Sequence, residues 1–190
     1  MKYYAIKEGL KRGIFNSWDE CKEYVSGYKG AVYKSFSTLE DAKNYLEDKE
    51  EEVCGTFAYV DGSYNPQTTE YSFGAVLYYN NQMYQFKRKF GPDEYSKSRN
   101  VSGEIRGAAF IIQYAIKLGI KELDLYYDYR GIEEFYTGFY KATKDLPMRY
   151  QMFAQEAKKQ IKINFHKVKS HTNNKYNDMV DNLAKEALGI

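Results

Sequence analysis

The chain reads as an α/β protein, a mixed five-stranded sheet flanked by helices and preceded by a small, separate α/β unit. Three observations predict this. A charged block, Glu47-Asp48-Lys49-Glu50-Glu51-Glu52, interrupts the apolar pattern and cannot bury itself, so it splits the chain into a short and a long part. In the long part a strong helical periodicity lies between two strand-like runs, the pattern of a strand–crossover–strand unit. The length of 190 residues with 43% hydrophobic content suits one core of ordinary size with a remainder for a mini-domain.

In the short part, Tyr3 to Ile6 and Ala31 to Phe36 read as strands, and Trp18 to Val25 and Thr38 to Leu46 as helices. Ser17 and either Ser37 or Thr38 are N-cap candidates, each followed by first-turn acids (Asp19, Glu20; Glu40, Asp41) that suit the positive end of a helix. Such a unit, about two strands and two helices, has little core of its own. The predicted organisation is a domain at residues 1–48, an acidic linker at 49–55 and a larger domain at 56–190.

In the long part, Thr56 to Asp61, Ser72 to Tyr79 and Gln82 to Lys89 predict an antiparallel meander with Asn80-Asn81 as its second turn. A helix follows, with Ile105, Ala108, Ala109, Ile112, Ala115 and Ile116 on one face and Gly119 as its stop. Glu122 to Tyr127 is the fourth strand, Tyr129 to Gln160 is helical with breaks expected at Gly138 and Pro147, and Ile161 to Val168 is the fifth strand. The last helix buries Val180, Leu183, Ala184, Ala187 and Leu188.

Net charge is only +2, but its distribution is uneven. The first 52 residues hold nine Lys/Arg against eleven Asp/Glu, leaving nineteen against fifteen beyond them, so the larger part is the more basic one. No apolar run reaches membrane-spanning length, and the N-terminus turns polar at Lys7-Glu8, so the expectation is a cytoplasmic monomer that touches no membrane. Cys21 and Cys54 lack metal-ligand spacing, which argues against a zinc site or a disulfide framework.

Strands joined by a crossover helix run parallel and right-handed, so the first and fourth strands of the larger part end on the same side. Asp61 closes the first and Asp128 closes the fourth, which puts both at the crevice where open α/β sheets hold ligands. Glu104 sits in the first turn of the crossover helix, and Asp181 beside the buried stripe of the last. Singly, each reads as a turn or helix-end residue. Together, four carboxylates facing one pocket repel and must either protonate or recruit cations. An oxygen-only set suits Mg²⁺, with Mn²⁺ as the other fit.

The segments Tyr59-Val60-Asp61-Gly62-Ser63, Ser102-Gly103-Glu104-Ile105-Arg106-Gly107-Ala108, Tyr127-Asp128-Tyr129-Arg130-Gly131-Ile132, Val168-Lys169-Ser170-His171 and Asn177-Asp178-Met179-Val180-Asp181-Asn182-Leu183-Ala184 resemble, in order, the motifs of type 1 ribonuclease H. The resemblance covers residues 56 to 190 and implies a ribonuclease H-like fold with Asp61, Glu104, Asp128 and Asp181 as catalytic metal ligands. The Asp-x-Leu-Ala spacing favours Asp181 over Asp178. The resemblance further implies a two-metal-ion endonuclease that cuts the RNA strand of RNA–DNA hybrids and leaves 3′-hydroxyl and 5′-phosphate ends, with His171 moving protons or aiding product release; Asp61, central on the expected sheet, is the choice for a bridging ligand, which sequence alone does not settle.

By the same resemblance Asn100 and Asn65 contact the groove of the hybrid; Lys97 and Arg99, close by in sequence, read equally well as phosphate contacts and as solvated surface. The basic, tryptophan-rich handle of many relatives is reduced to Phe135, Tyr136, Phe139, Tyr140, Lys141, Lys144 and Arg149, offset by acids. Residues 1 to 48 resemble the hybrid-binding, viroplasmin-like domain, through Tyr3-Tyr4-Ala5-Ile6-Lys7, Gly13-Ile14-Phe15-Asn16-Ser17-Trp18-Asp19-Glu20-Cys21 and Tyr33-Lys34-Ser35-Phe36. There Tyr4, Trp18 and Lys34 match positions that contact the duplex. The rival reading is a non-catalytic viroplasmin-type protein, binding hybrid or double-stranded RNA, whose nuclease fold has lost activity.

Overall fold

A computed structural model describes residues 2–46, 55–168 and 174–190. The chain divides into two compact units, Met1–Cys54 and Gly55–Ile190.

In the first unit, β1 (Tyr3–Glu8), β2 (Gly13–Phe15) and β3 (Val32–Phe36) form an antiparallel sheet in the order β2-β1-β3. Helices α1 (Trp18–Val25) and α2 (Leu39–Leu46) complete it. Strand β2 escapes a reading by pattern, because its three residues are too few to show alternation and it exists by pairing with β1 from Tyr4↔Phe15 to Ile6↔Gly13. The helices start where capping chemistry says they should. Ser17 Oγ accepts from Glu20 N at 3.2 Å and Thr38 Oγ1 from Asp41 N at 3.1 Å. A small core of Ile6, Phe15, Cys21 and Val25 holds the unit together, so the Cys21 thiol is a buried packing group.

The second unit contains β4 (Phe57–Tyr64), β5 (Tyr71–Tyr79), β6 (Gln82–Phe90), α3 (Asn100–Lys117), β7 (Glu122–Tyr127), α4 (Gly131–Thr137), α5 (Asp145–Ala157), β8 (Lys162–Lys167) and α6 (Lys175–Leu188). The sheet order is β6-β5-β4-β7-β8, with β4, β5 and β6 antiparallel and β4, β7 and β8 parallel. The mixed five-stranded sheet predicted above is therefore present. Asn80 and Asn81 turn the β5–β6 hairpin at φ 51° and 58°, the left-handed region that asparagine tolerates best among residues with a side chain.

One core layer packs Val60, Phe73, Ala75 and Leu77 of the sheet against Ile105, Ala108, Ile111 and Ile112 of α3. Helix α6 packs across β4, β5 and β6, burying Val180, Ala184 and Leu188. The expected break at Gly138 is real, with the residue at φ 85° as the cap of α4. The expected break at Pro147 is not. Pro147 is the third residue of α5, in the first turn, where its missing N–H has no helical acceptor to lose.

Candidate active site

Glycines bring α3 and α6 onto the sheet at the right depth. A β-carbon built on Gly103 would lie 1.8 Å from the Ser72 carbonyl oxygen, and one on Gly62 would lie 2.3 Å from the Asn100 carbonyl oxygen and 2.7 Å from Glu104 Cγ. Only hydrogen fits there, so the start of α3 rests on the backbones of β4 and β5 and carries Glu104 against Asp61. On the opposite side, Gly74 admits α6 in the same way, since a β-carbon there would meet the Val180 carbonyl oxygen at 2.1 Å.

Asp61 does not close its strand, as expected from sequence, but lies within β4 paired with Gly74, and the strand continues to Tyr64. The parallel ladder between β4 and β7 ends at Tyr59↔Tyr126, and that register continued two residues brings Asp61 level with Asp128, just past β7. Glu104 is the fifth residue of α3, in its second turn rather than the first, because the helix begins at Asn100. Carboxylate oxygens of Asp61, Glu104 and Asp128 all lie within 4.8 Å of one another.

Glu104 is 2% exposed; its Oε1 accepts from Asn100 Nδ2 at 3.0 Å, and its Oε2 is buried with no hydrogen-bond donor among the described residues. Burial, then the neighbouring Asp128 and Asp61, push its pKa up to about 10. Asp61 rises to about 7 for the same first reason, with Asp128 adding to the shift and the Gly62 N–H, 2.7 Å from Asp61 Oδ1, opposing it. Such a set carries its negative charge comfortably only beside cations.

Asp181 approaches this trio from α6, close enough to raise the Asp61 pKa, while its Oδ2 accepts from Lys185 Nζ at 2.7 Å one helical turn on. Sequence reasoning did not single out Lys185. The i, i+4 spacing could have suggested the pair, but only the fold aims it at the other acids. Asp178 is exposed on the same helix. His171 lies outside the described residues.

Of the residues assigned to groove and phosphate contact, Lys97, Arg99 and Asn100 are exposed at the entry to α3. Asn65 is buried, and its Oδ1 is already taken by its own turn, accepting from Gln67 N at 2.9 Å and Thr68 N at 3.4 Å, which leaves Nδ2 as the group for an outside partner. In the first unit, Trp18 is 39% exposed and packs beside Tyr4 at 5.8 Å and Tyr33 at 5.6 Å between ring centroids. Tyr33, 44% exposed, joins this aromatic surface without having been singled out from sequence. Lys34 follows it on β3, its Nζ 5.7 Å from the Phe36 ring centre.

A family model described as RNase H matches residues 55–189, and one described as Ribonuclease H1 N-terminal domain matches residues 2–46. Among curated proteins, Ribonuclease H of Saccharomyces cerevisiae is 50% identical over 44 residues, which is 23% of this chain and 13% of that protein. Ribonuclease H of Schizosaccharomyces pombe is 32% identical over 71 residues, 37% of this chain and 25% of that protein. The Transactivator/viroplasmin protein of Cestrum yellow leaf curling virus is 40% identical over 50 residues, 26% of this chain and 9% of that protein. The matched stretches thus span a quarter or less of these relatives. The crystal structure of RNase H1 from Halobacterium salinarum shares the fold at a TM-score of 0.58 and 21% identity, over 70% of this chain and 96% of that one.

Proposed function

Because the chain belongs to the ribonuclease H family, we propose that it is an endonuclease for the RNA strand of RNA–DNA hybrids, with residues 56–190 cutting and residues 1–48 holding the duplex. The observation that carries this reading is the carboxylate trio gathered around the buried Glu104, whose Oε2 has no hydrogen-bond partner among the described residues, a donor set of oxygens alone that fits Mg²⁺ or Mn²⁺.

Asp61, Glu104, Asp128 and Asp181 would hold two such ions. Bound there, the ions would supply Lewis acidity for activating water and for easing departure of the 3′ oxygen, the chemistry that 3′-hydroxyl and 5′-phosphate ends require. The chain's own residues orient this chemistry. The Gly62 N–H fixes one Asp61 oxygen, and Asn100 fixes one Glu104 oxygen and leaves the other facing the site. Asn100 and Glu104 also stand where a ribose 2′-hydroxyl, both donor and acceptor, can be sensed. His171, four positions past the described strand end at Lys167, is assigned proton movement at the leaving oxygen or product release.

Lys97 and Arg99 meet phosphates, Asn65 offers its amide nitrogen to the groove, and in the first unit Tyr4 and Trp18 face the sugars while Lys34 meets phosphate. The test is cleavage of an end-labelled hybrid in Mg²⁺ or Mn²⁺, with Asp128→Asn, single-stranded RNA, duplex DNA and duplex RNA as controls. Cleavage confined to the hybrid's RNA strand and lost in Asp128→Asn is expected. Tight binding without cleavage would instead favour the non-catalytic, viroplasmin-type reading.

A further inference from the structure

Arg106 sits two residues past Glu104 on α3, and its partly exposed side chain lays the guanidinium among three aromatic rings. Its Cζ lies 4.6 Å from the Phe90 ring centre, 5.1 Å from that of Tyr95 and 5.7 Å from that of Tyr71. Its Nη2 is 3.8 Å from Asp93 Oδ2, and its Nε is buried with no hydrogen-bond partner among the described residues. A purely structural position would favour an apolar side chain, which would cover the same rings without leaving a buried N–H unmet. The guanidinium adds something an apolar group lacks, a planar cation that stacks on rings and reaches a carboxylate at once.

That carboxylate organises the segment leading into α3. Asp93 Oδ1 accepts from Tyr95 N at 2.9 Å, its Oδ2 accepts from Tyr71 Oη at 3.0 Å, and its N–H donates to Ser96 Oγ at 3.1 Å. Tyr95 is held further by Ser102 Oγ, which donates to its carbonyl oxygen at 2.7 Å, and by its own hydroxyl, which donates to the Asp145 carboxylate. The segment ends at Arg99, with φ 53° and ψ −135°, a conformation that a residue with a side chain keeps only where its surroundings enforce it.

We propose that Arg106 is a positioning residue, locking the segment from Pro92 to Arg99 so that Lys97 and Arg99 meet the hybrid's phosphates in register with Asn100 and Glu104. This rests on the reading that those two cations bind phosphate. The handle that grips the duplex in many relatives is reduced in this chain, so a fixed pair of cations beside the acids takes on more of the grip.

Equilibrium binding of a fluorescent RNA–DNA hybrid to the full chain in chelator, from about 50 to 200 mM salt, tests it. Removing one cation from its phosphate lowers the slope of log affinity against log salt by about one. Arg106→Gln is expected to weaken binding about tenfold at the lower salt and to reduce the slope by about one to two, the share of Lys97 and Arg99, and Arg106→Lys does not restore either, because an ammonium cannot stack as a plane. In a Lys97→Ala/Arg99→Ala background, Arg106→Gln adds nothing. A fall in melting temperature with an unchanged slope, full rescue by lysine, or an undiminished effect in the double-alanine background each overturns the proposal. The double-alanine protein alone tests the underlying reading, which fails if affinity and slope there match the parent. Should Arg106→Gln not fold, Asp93→Asn cuts the same link with the ring stack kept, and the same slope change is expected.

Discussion

Asp61→Asn removes one ionisable group from the acid trio and should stabilise the metal-free protein, although it is expected to lower cleavage. In the folded chain the Asp61 pKa is raised from 3.8 to about 7, so the native state holds its proton where the unfolded chain has released it. The sign follows from linkage. Stability falls as pH rises from the unfolded value toward the folded one and levels off above it. At about 1.4 kcal/mol per unit the full shift corresponds to about 4 kcal/mol, and about half survives once neighbouring acids adjust their own protonation. A gain of about 2 kcal/mol, or about 4–8 °C in melting temperature, is expected at pH 8 in chelator, fading toward pH 4. Saturating Mg²⁺ should reverse the order, because only the parent then gains binding energy from its full ligand set. Calorimetric melts at both pH values, with and without metal, measure this. A variant that is less stable at pH 8 in chelator, or more stable by the same amount at both pH values, would refute the electrostatic account of the site.

Gly103→Ala forces a methyl group into the 1.8 Å gap to the Ser72 carbonyl, so α3 must lift off the sheet; a loss of more than about 3 kcal/mol in urea unfolding is expected, with cleavage reduced even where the protein still folds. Lys185→Gln frees Asp181 from its 2.7 Å ion pair and removes a cation that would repel a divalent ion; titration calorimetry should show Mg²⁺ binding about threefold to tenfold tighter, and weaker binding would mean that Lys185 instead holds Asp181 in place for the metal. Trp18→Ala removes the centre of the exposed aromatic surface; hybrid affinity should fall about tenfold while kcat stays within about twofold, and a matching fall in kcat would end the division of labour between the two units.

The order of elements was written in the chain because each depends on local pattern. The α3 stripe from Ile105 to Ile116, the Asn80-Asn81 turn and the Ser17 cap are decided by residues a few positions apart, so the mixed sheet could be read from the residues alone. The motifs around Asp61, Glu104, Asp128 and Asp181 named the acids in the same way. Features set by partners distant in sequence could not be read. Strand β2 exists through β1, Pro147 is harmless only because α5 starts at Asp145, and Asp61 lies inside its strand because β5 pairs on to Tyr71. Packing alone decided that Glu104 loses nearly all its solvent, that the Lys185–Asp181 pair faces the other acids, and that Arg106 lies against rings from β5, β6 and the 91–99 segment. Sequence thus determines which charges exist; only the folded chain, by excluding water and bringing them within a few ångströms of each other, sets how strongly they act.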